Sequence, residues 1–263
     1  MNTLPPPAAE IASGMPNWVD LGTHDLADAT RFYTSLFGWT AHVRAQSEAG
    51  GYTIFNKDDR VVAGAGPRPE KSQPSAWSTY FATDDADLVT RRVEAAGGRV
   101  LTAPFDVLRQ GRMAVFLDPA GAAFSVWQPM GRRGVELVDA PGALCWTELA
   151  TPDTERAKEF YEAVFGWSDE DQPMGPITYT GWRLGERIIA GMMPMVGEEW
   201  AGEPAHWMVH FAVTDTDATT AHAQELGGDV AVPPTDVPPG RFAVLRDPQG
   251  ASFTVFQAAP APA

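Results

Sequence analysis

A single cysteine, Cys145, stands among 263 residues. No disulfide can form within the chain and no cysteine-based metal cluster can be built, and a lone cysteine on an apolar strand reads as a small core residue. Positive charge is also scarce: 19 Lys and Arg against 34 Asp and Glu leave a formal net charge of −15. That balance argues against nucleic acid and anionic membranes, which both require a basic surface, and mildly favours neutral or cationic small ligands. No apolar run reaches the length of a membrane span. The opening MNTLPPPAAEIASG has neither the basic n-region nor the apolar h-region of a secretory signal, so a cytoplasmic location is expected. There is no nucleophile elbow, no phosphate loop and no Cys–His pair. With 44% hydrophobic and 20% charged residues, the chain has the composition of a globular protein with a sizeable core.

What the sequence does contain is one pattern written twice. NWVDLGTHDLADATRFYTSLFGW, residues 17–39, returns as CWTELATPDTERAKEFYEAVFGW, residues 145–167. Trp18 and Trp146, Asp25 and Asp153, Phe32 and Phe160, and Gly38 and Gly166 are each 128 residues apart. The offset grows only to 129 for Asp118-Pro119 and Asp247-Pro248 and to 130 for Gly97 and Gly227. So long a period means a duplicated module, not a solenoid. The expected organisation is a disordered segment over 1–14, a first module over 15–130, a linker over 131–142, a second module over 143–258 and a disordered Pro/Ala-rich tail over 259–263. Within each copy a period-two strand around Val19 and Leu21 leads to a helix capped by Asp25, with Ala29, Phe32, Tyr33, Leu36 and Phe37 on one face and Gly38 closing it. Two short strands follow, beginning YTIF and YTGW. A further strand and a helix ending in Gly-Gly come next, then a hairpin turning at Asp-Pro-x-Gly.

This order, with D…FY…FGW early and DPxGxxF late in each copy, resembles the vicinal oxygen chelate superfamily of glyoxalase I, the bleomycin-resistance proteins and the extradiol dioxygenases. The resemblance covers about residues 15–258. It implies an α+β fold of tandem βαβββ modules, the glyoxalase/bleomycin-resistance/dihydroxybiphenyl dioxygenase fold, with mixed sheets curled around cavities. It also implies where catalytic members bind a metal: Trp18, Ser78 and Ser125 in the first copy, Trp146, Met208 and Thr254 in the second. None of these six is His, Glu, Gln or Asp, and an indole only donates. No metal and no other cofactor is therefore expected.

Strand alternation turns Val19, Leu21, Phe124, Val126, Leu149, Phe253 and Val255 toward the helices, and their alternate neighbours toward the cavity. The cavity face is then Trp18, Asp20, Tyr80, Ser125 and Trp127 in the first copy, and Trp146, Glu148, Met208, His210, Thr254 and Phe256 in the second. Asp20, Glu148 and His210 are the candidate acid–base residues. Trp18, Tyr80, Trp127, Trp146, Met208, Thr254, Phe256 and Arg241 are the candidate ligand contacts. The plainer alternatives are that Asp20 and Glu148 pair with Arg112 and Arg241 and only support the barrel, and that His210 is merely packed.

A metal-independent small-molecule-binding protein of the bleomycin-resistance type is the first functional expectation, holding an aromatic or cationic natural product or metabolite. The alternative is a glyoxalase-like or natural-product tailoring enzyme of lyase, isomerase or hydroxylase type. A third reading places a non-standard metal site at Asp20, Glu148 and His210. The partner is a small molecule, and the chain a monomer or homodimer. The second copy is expected to hold the working cavity, because it has the cavity-facing histidine and a Met-rich wall.

Overall fold

A computed structural model describes residues 11–43, 50–68 and 73–260. The first module runs β1 (Pro16–Thr23), α1 (Leu26–Phe37), β2 (Thr40–Val43), β3 (Thr53–Lys57), β4 (Arg60–Pro67), β5 (Ala76–Ala82), α2 (Ala86–Ala95), β6 (Arg99–Val107), β7 (Gly111–Leu117) and β8 (Ala123–Pro129). The second repeats this as β9 (Leu144–Thr151), α3 (Thr154–Phe165), β10 (Ser168–Met174), β11 (Ile177–Leu184), β12 (Arg187–Pro194), β13 (His206–Ala212), α4 (Thr216–Glu225), β14 (Asp229–Val237), β15 (Gly240–Arg246) and β16 (Ser252–Ala258). Each module is one eight-stranded mixed sheet, in the order β2-β3-β4-β1-β5-β8-β7-β6 and its counterpart β10-β11-β12-β9-β13-β16-β15-β14. The α+β tandem architecture is as the sequence led us to expect.

Local chemistry sets the helix ends. The Asp25 and Asp153 side chains accept from the backbone N–H of Asp28 and Arg156, and Gly38 and Gly166 take up the left-handed conformation at φ 66° and 74°. That conformation is cheap only for glycine.

The convex sides of the two sheets meet, and the helices lie between them. One core joins Val19, Leu21, Phe32, Tyr33 and Phe37 of the first module to Val209, Phe211, Phe253 and Val255 of the second. Its mirror joins Phe160, Tyr161, Trp167 and Trp182 to Phe81, Phe116, Phe124 and Val126. Each core has a polar pin. Tyr33 Oη donates to Asp247 Oδ2 at 3.1 Å and accepts from Trp77 Nε1 at 2.9 Å. Tyr161 Oη donates to Asp118 Oδ2 at 3.2 Å and accepts from Trp207 Nε1 at 2.8 Å. Asp118 and Asp247 are the turn acids of the two DPxG hairpins, and their Oδ1 atoms hold the turn's own N–H groups. The same carboxylate thus shapes a turn in one module and anchors a helix of the other.

The segment expected to be disordered at the N-terminus begins, from Ile11, as packed chain. Ile11 lies against the second core, Gly14 N–H donates to Ala82 O, and Gly14 O accepts from Trp167 Nε1 at 3.0 Å. An apolar side chain and the backbone hydrogen bonds of Gly14 outweigh the Pro/Ala-rich surroundings here. Of the tail expected over 259–263, Ala259 N–H donates to Pro239 O, and residues 1–10 and 261–263 lie outside the described residues.

Candidate functional site

The concave face of each sheet carries the residues that alternation assigns to it. In the first module Trp18 sits opposite Tyr80 across β1 and β5, and Asp20 opposite Ser78. Tyr80 in turn lies in register with Ser125 on β8. In the second, Trp146 faces His210 and Glu148 faces Met208, with His210 in register with Thr254. The two faces begin alike and end differently.

On the first face the polar groups close on one another. Trp18 Nε1 donates to Tyr52 Oη at 3.1 Å, Tyr52 Oη to Asp20 Oδ2 at 3.0 Å, and Tyr80 Oη to the same oxygen at 3.1 Å. Burial raises the Asp20 pKa to about 6, against the pull of both tyrosines and the nearby Arg68. Gly64, in register with Asp20 on β4, gives Tyr52 room: a Cβ there would collide with its hydroxyl.

This face is also covered. The inter-module linker crosses it as a strap. Trp127 Nε1 donates to Arg132 O at 2.7 Å, Asn17 Nδ2 to Arg133 O at 3.1 Å, and Val135 N–H to Asn17 O. Glu136 N–H donates to Val61 O, and its carboxylate accepts from Val61 N–H at 2.9 Å. Val135 is buried with Trp18, Tyr80 and Trp127, and the Arg132 guanidinium stands 5.8 Å from the centre of the Trp18 ring.

On the second face the chain of donors stops one step earlier. Trp146 Nε1 donates to Tyr179 Oη at 2.9 Å, and Tyr179 Oη to Glu148 Oε2 at 2.7 Å. Histidine replaces the second tyrosine and does not reach the carboxylate. His210 is 9% exposed, and its Nε2 has no hydrogen-bond partner. Burial pushes the His210 pKa down to about 3 and the Glu148 pKa up to about 7, the latter against the single donor Tyr179. At neutral pH the site thus offers a carboxyl near its titration point and an uncharged imidazole. Their apolar surroundings are Trp146, with Ile188 and Phe256 packed against it, and Met208, whose Sδ accepts from Thr254 Oγ1 at 2.8 Å. Such a pair can accept or donate a proton at a bound guest. Among the described residues a groove of about 340 Å³ lies elsewhere, on the outside of the second module; its Lys158 is already held by Glu155, Asp169 and Asp171.

Two sequence expectations need correction. Arg241 is not a cavity residue. It pairs with Asp217 at 2.7 Å and Asp236 at 2.8 Å at the far end of the hairpin. Arg112 repeats this with Asp87 and Asp106. For the same reason neither arginine neutralises Asp20 or Glu148. Two residues were missed. Tyr52 and Tyr179 each link the tryptophan to the carboxylate, and the only sequence signal was the recurrence of Tyr-Thr at the head of YTIF and YTGW.

The fold's metal positions do not fit a divalent ion. Trp18 and Trp146 have committed their only polar hydrogens, and Thr254 donates to the Met208 sulfur. Among the described residues no three His, Cys, Asp or Glu side chains come together. The non-standard site fails as well, since Asp20 lies on one sheet and Glu148 and His210 on the other.

Comparison with known proteins agrees with this architecture. The model of the Glyoxalase/Bleomycin resistance protein/Dioxygenase superfamily matches residues 16–126 and again 143–255. The anthracycline biosynthesis protein DnrV of Streptomyces peucetius is 45% identical over 94% of each chain. CFP32 of Mycobacterium bovis, provisionally named a glyoxylase, is 41% identical over 97% of this chain and 99% of its own. The Mn(II)-bound glyoxalase of Novosphingobium aromaticivorans superposes with a TM-score of 0.65 at 17% identity, over 93% of this chain and 82% of the other. The chain is a member of the Glyoxalase/Bleomycin resistance protein/Dioxygenase superfamily.

Proposed function

We propose that this protein acts in the tailoring of a polycyclic aromatic natural product, which it binds on the concave face of the second module, with Glu148 as the group that exchanges a proton with the guest. One observation carries the reading. The two modules started as copies, yet the first satisfies its carboxylate with two tyrosines and lies under the linker, whereas the second gives its carboxyl a single tyrosine donor and keeps an unpaired imidazole. An unpaired buried polar group costs about 1–3 kcal/mol, and His210, diagonal to the Glu148 carboxyl, can regain that from a partner that arrives from outside. Cross-strand diagonal neighbours such as Glu148 and His210 are roughly 7–8 Å apart, close enough for one planar molecule to meet both.

The name of the DnrV relative favours a tailoring role on an aromatic polyketide over the bleomycin-resistance type of binding protein that the sequence alone suggested. The indole of Trp146 offers such a ring a stacking surface. Titration with a hydroxyanthraquinone, followed by tryptophan fluorescence, tests the reading. Quenching should saturate at one guest per chain. Glu148→Gln and His210→Phe should each weaken binding at least about tenfold, while Asp20→Asn leaves it unchanged. Loss of binding in Asp20→Asn with the other two variants unaffected would place the site in the wrong module.

A further inference from the structure

The first module supplies its concave face with two cations of its own. Arg68 lies along β1 beside Gly22 and lowers the Asp20 pKa through its charge. Arg132 of the strap stands over the Trp18 ring. Arg68 is absent from the second module for a definite reason. Arg68 N–H donates to Thr23 O and Met195 N–H to Thr151 O, so Met195 is the structural counterpart of Arg68. Met195 packs against the opposite core. Gly22 is replaced by Ala150, and a Cβ at Gly22 would collide with the Arg68 side chain, so the methyl of Ala150 fills the channel that an arginine would need. Among the described residues no cation lies over Trp146, and the influences on Glu148 are burial and Tyr179, with no positive charge among them. The second module has the carboxyl and the indole, but among the described residues neither resident cation of the first module has a counterpart beside them.

From this internal comparison we propose that the guest of the second module is itself cationic: an aromatic molecule bearing an ammonium group, which occupies between Trp146 and Glu148 the place that Arg68 and Arg132 fill in the first module. The proposal rests on the reading of the second module as the binding face. Indole faces attract cations within about 6 Å, and a carboxylate with no internal counter-ion gains most from one brought by the ligand. The chain's net charge of −15 also draws a cation toward it.

The test uses two probes that differ at one nitrogen, charged in the first and neutral in the second: an anthracycline with a free amino sugar, and the same molecule N-acetylated. At pH 7.5 the amine should bind wild-type protein about tenfold more tightly than the amide. Glu148→Gln should remove that difference by weakening the amine about tenfold more than the amide. The double variant Ala150→Gly/Met195→Arg, which restores the first module's cation and its channel, should likewise weaken the amine selectively while a thermal melt reports a folded protein. Equal affinity of both probes for the wild type, with both weakened by His210→Phe, would overturn the cationic guest and leave the second-module site standing. Failure of both probes to bind, or binding indifferent to every second-module variant, would overturn the site as well.

Discussion

Glu148 is held at a position where its charge is costly. Its pKa of about 7 lies above the ordinary value of 4.5, so between those values the folded protein retains a proton that the unfolded chain has released. The sign follows: stability from this group is greatest below about pH 4.5, falls as pH rises through about 7, and levels off beyond, a loss on the order of 3 kcal/mol. Glu148→Gln removes the titration. Denaturant unfolding at pH 5 and pH 8 should show the wild type losing more stability across that interval than the variant, and parallel losses would show that Glu148 does not titrate there. Asp20, raised to about 6, remains in both proteins and cancels in the comparison. Both carboxylates were legible in the sequence because period two assigns a residue to a face without knowledge of the fold. Tyr52 and Tyr179 were not, since they reach the carboxylate from just before β3 and from β11, and strand order is set by packing beyond any local pattern. Arg241 misled because Gly-Arg recurs in both copies; its partner Asp236 faces it across the hairpin, as Asp106 faces Arg112, so the repeat preserves a surface ion pair.

Among the elements, the linker is the one whose role composition concealed. Gly, Pro and charge interrupt its pattern and suggest a spacer, yet residues 132–136 form bonds with β1, β4 and β8 and close the first concave face. Val138 continues on to touch the cluster around Trp146. Glu136 makes the outermost of these contacts, through both its N–H and its carboxylate to Val61. Glu136→Ala should cost about 1 kcal/mol in denaturant unfolding and leave guest affinity and stoichiometry unchanged. A second equivalent of guest bound by this variant would show that the strap had been hiding a working site. The first helix of each module, by contrast, was readable in full, because Asp caps, an i, i+3, i+4 apolar stripe and terminal glycines are all local signals. What it packs against was not: α1 covers its own sheet and also the sheet of the other module.

At the scale of the whole molecule, the duplication predicted two modules but not that they share both cores. Phe211, Phe253 and Val255 are fully buried against the first module's helix, and Phe81, Phe124 and Val126 against the second's. Neither half can bury these faces alone. Residues 11–130 expressed alone should aggregate or dimerise, and a sharply melting monomer would contradict the shared-core account. The account's central claim is that one duplicated face has been sealed and the other left open for a charged aromatic guest. A crystal structure of the protein with the amino-sugar anthracycline tests it most directly. The account predicts one molecule per chain, its ring system against Trp146, its ammonium near Glu148, and the strap still seated over Trp18. Density for the guest over Trp18, with residues 132–136 displaced and the Glu148 face empty, would contradict it.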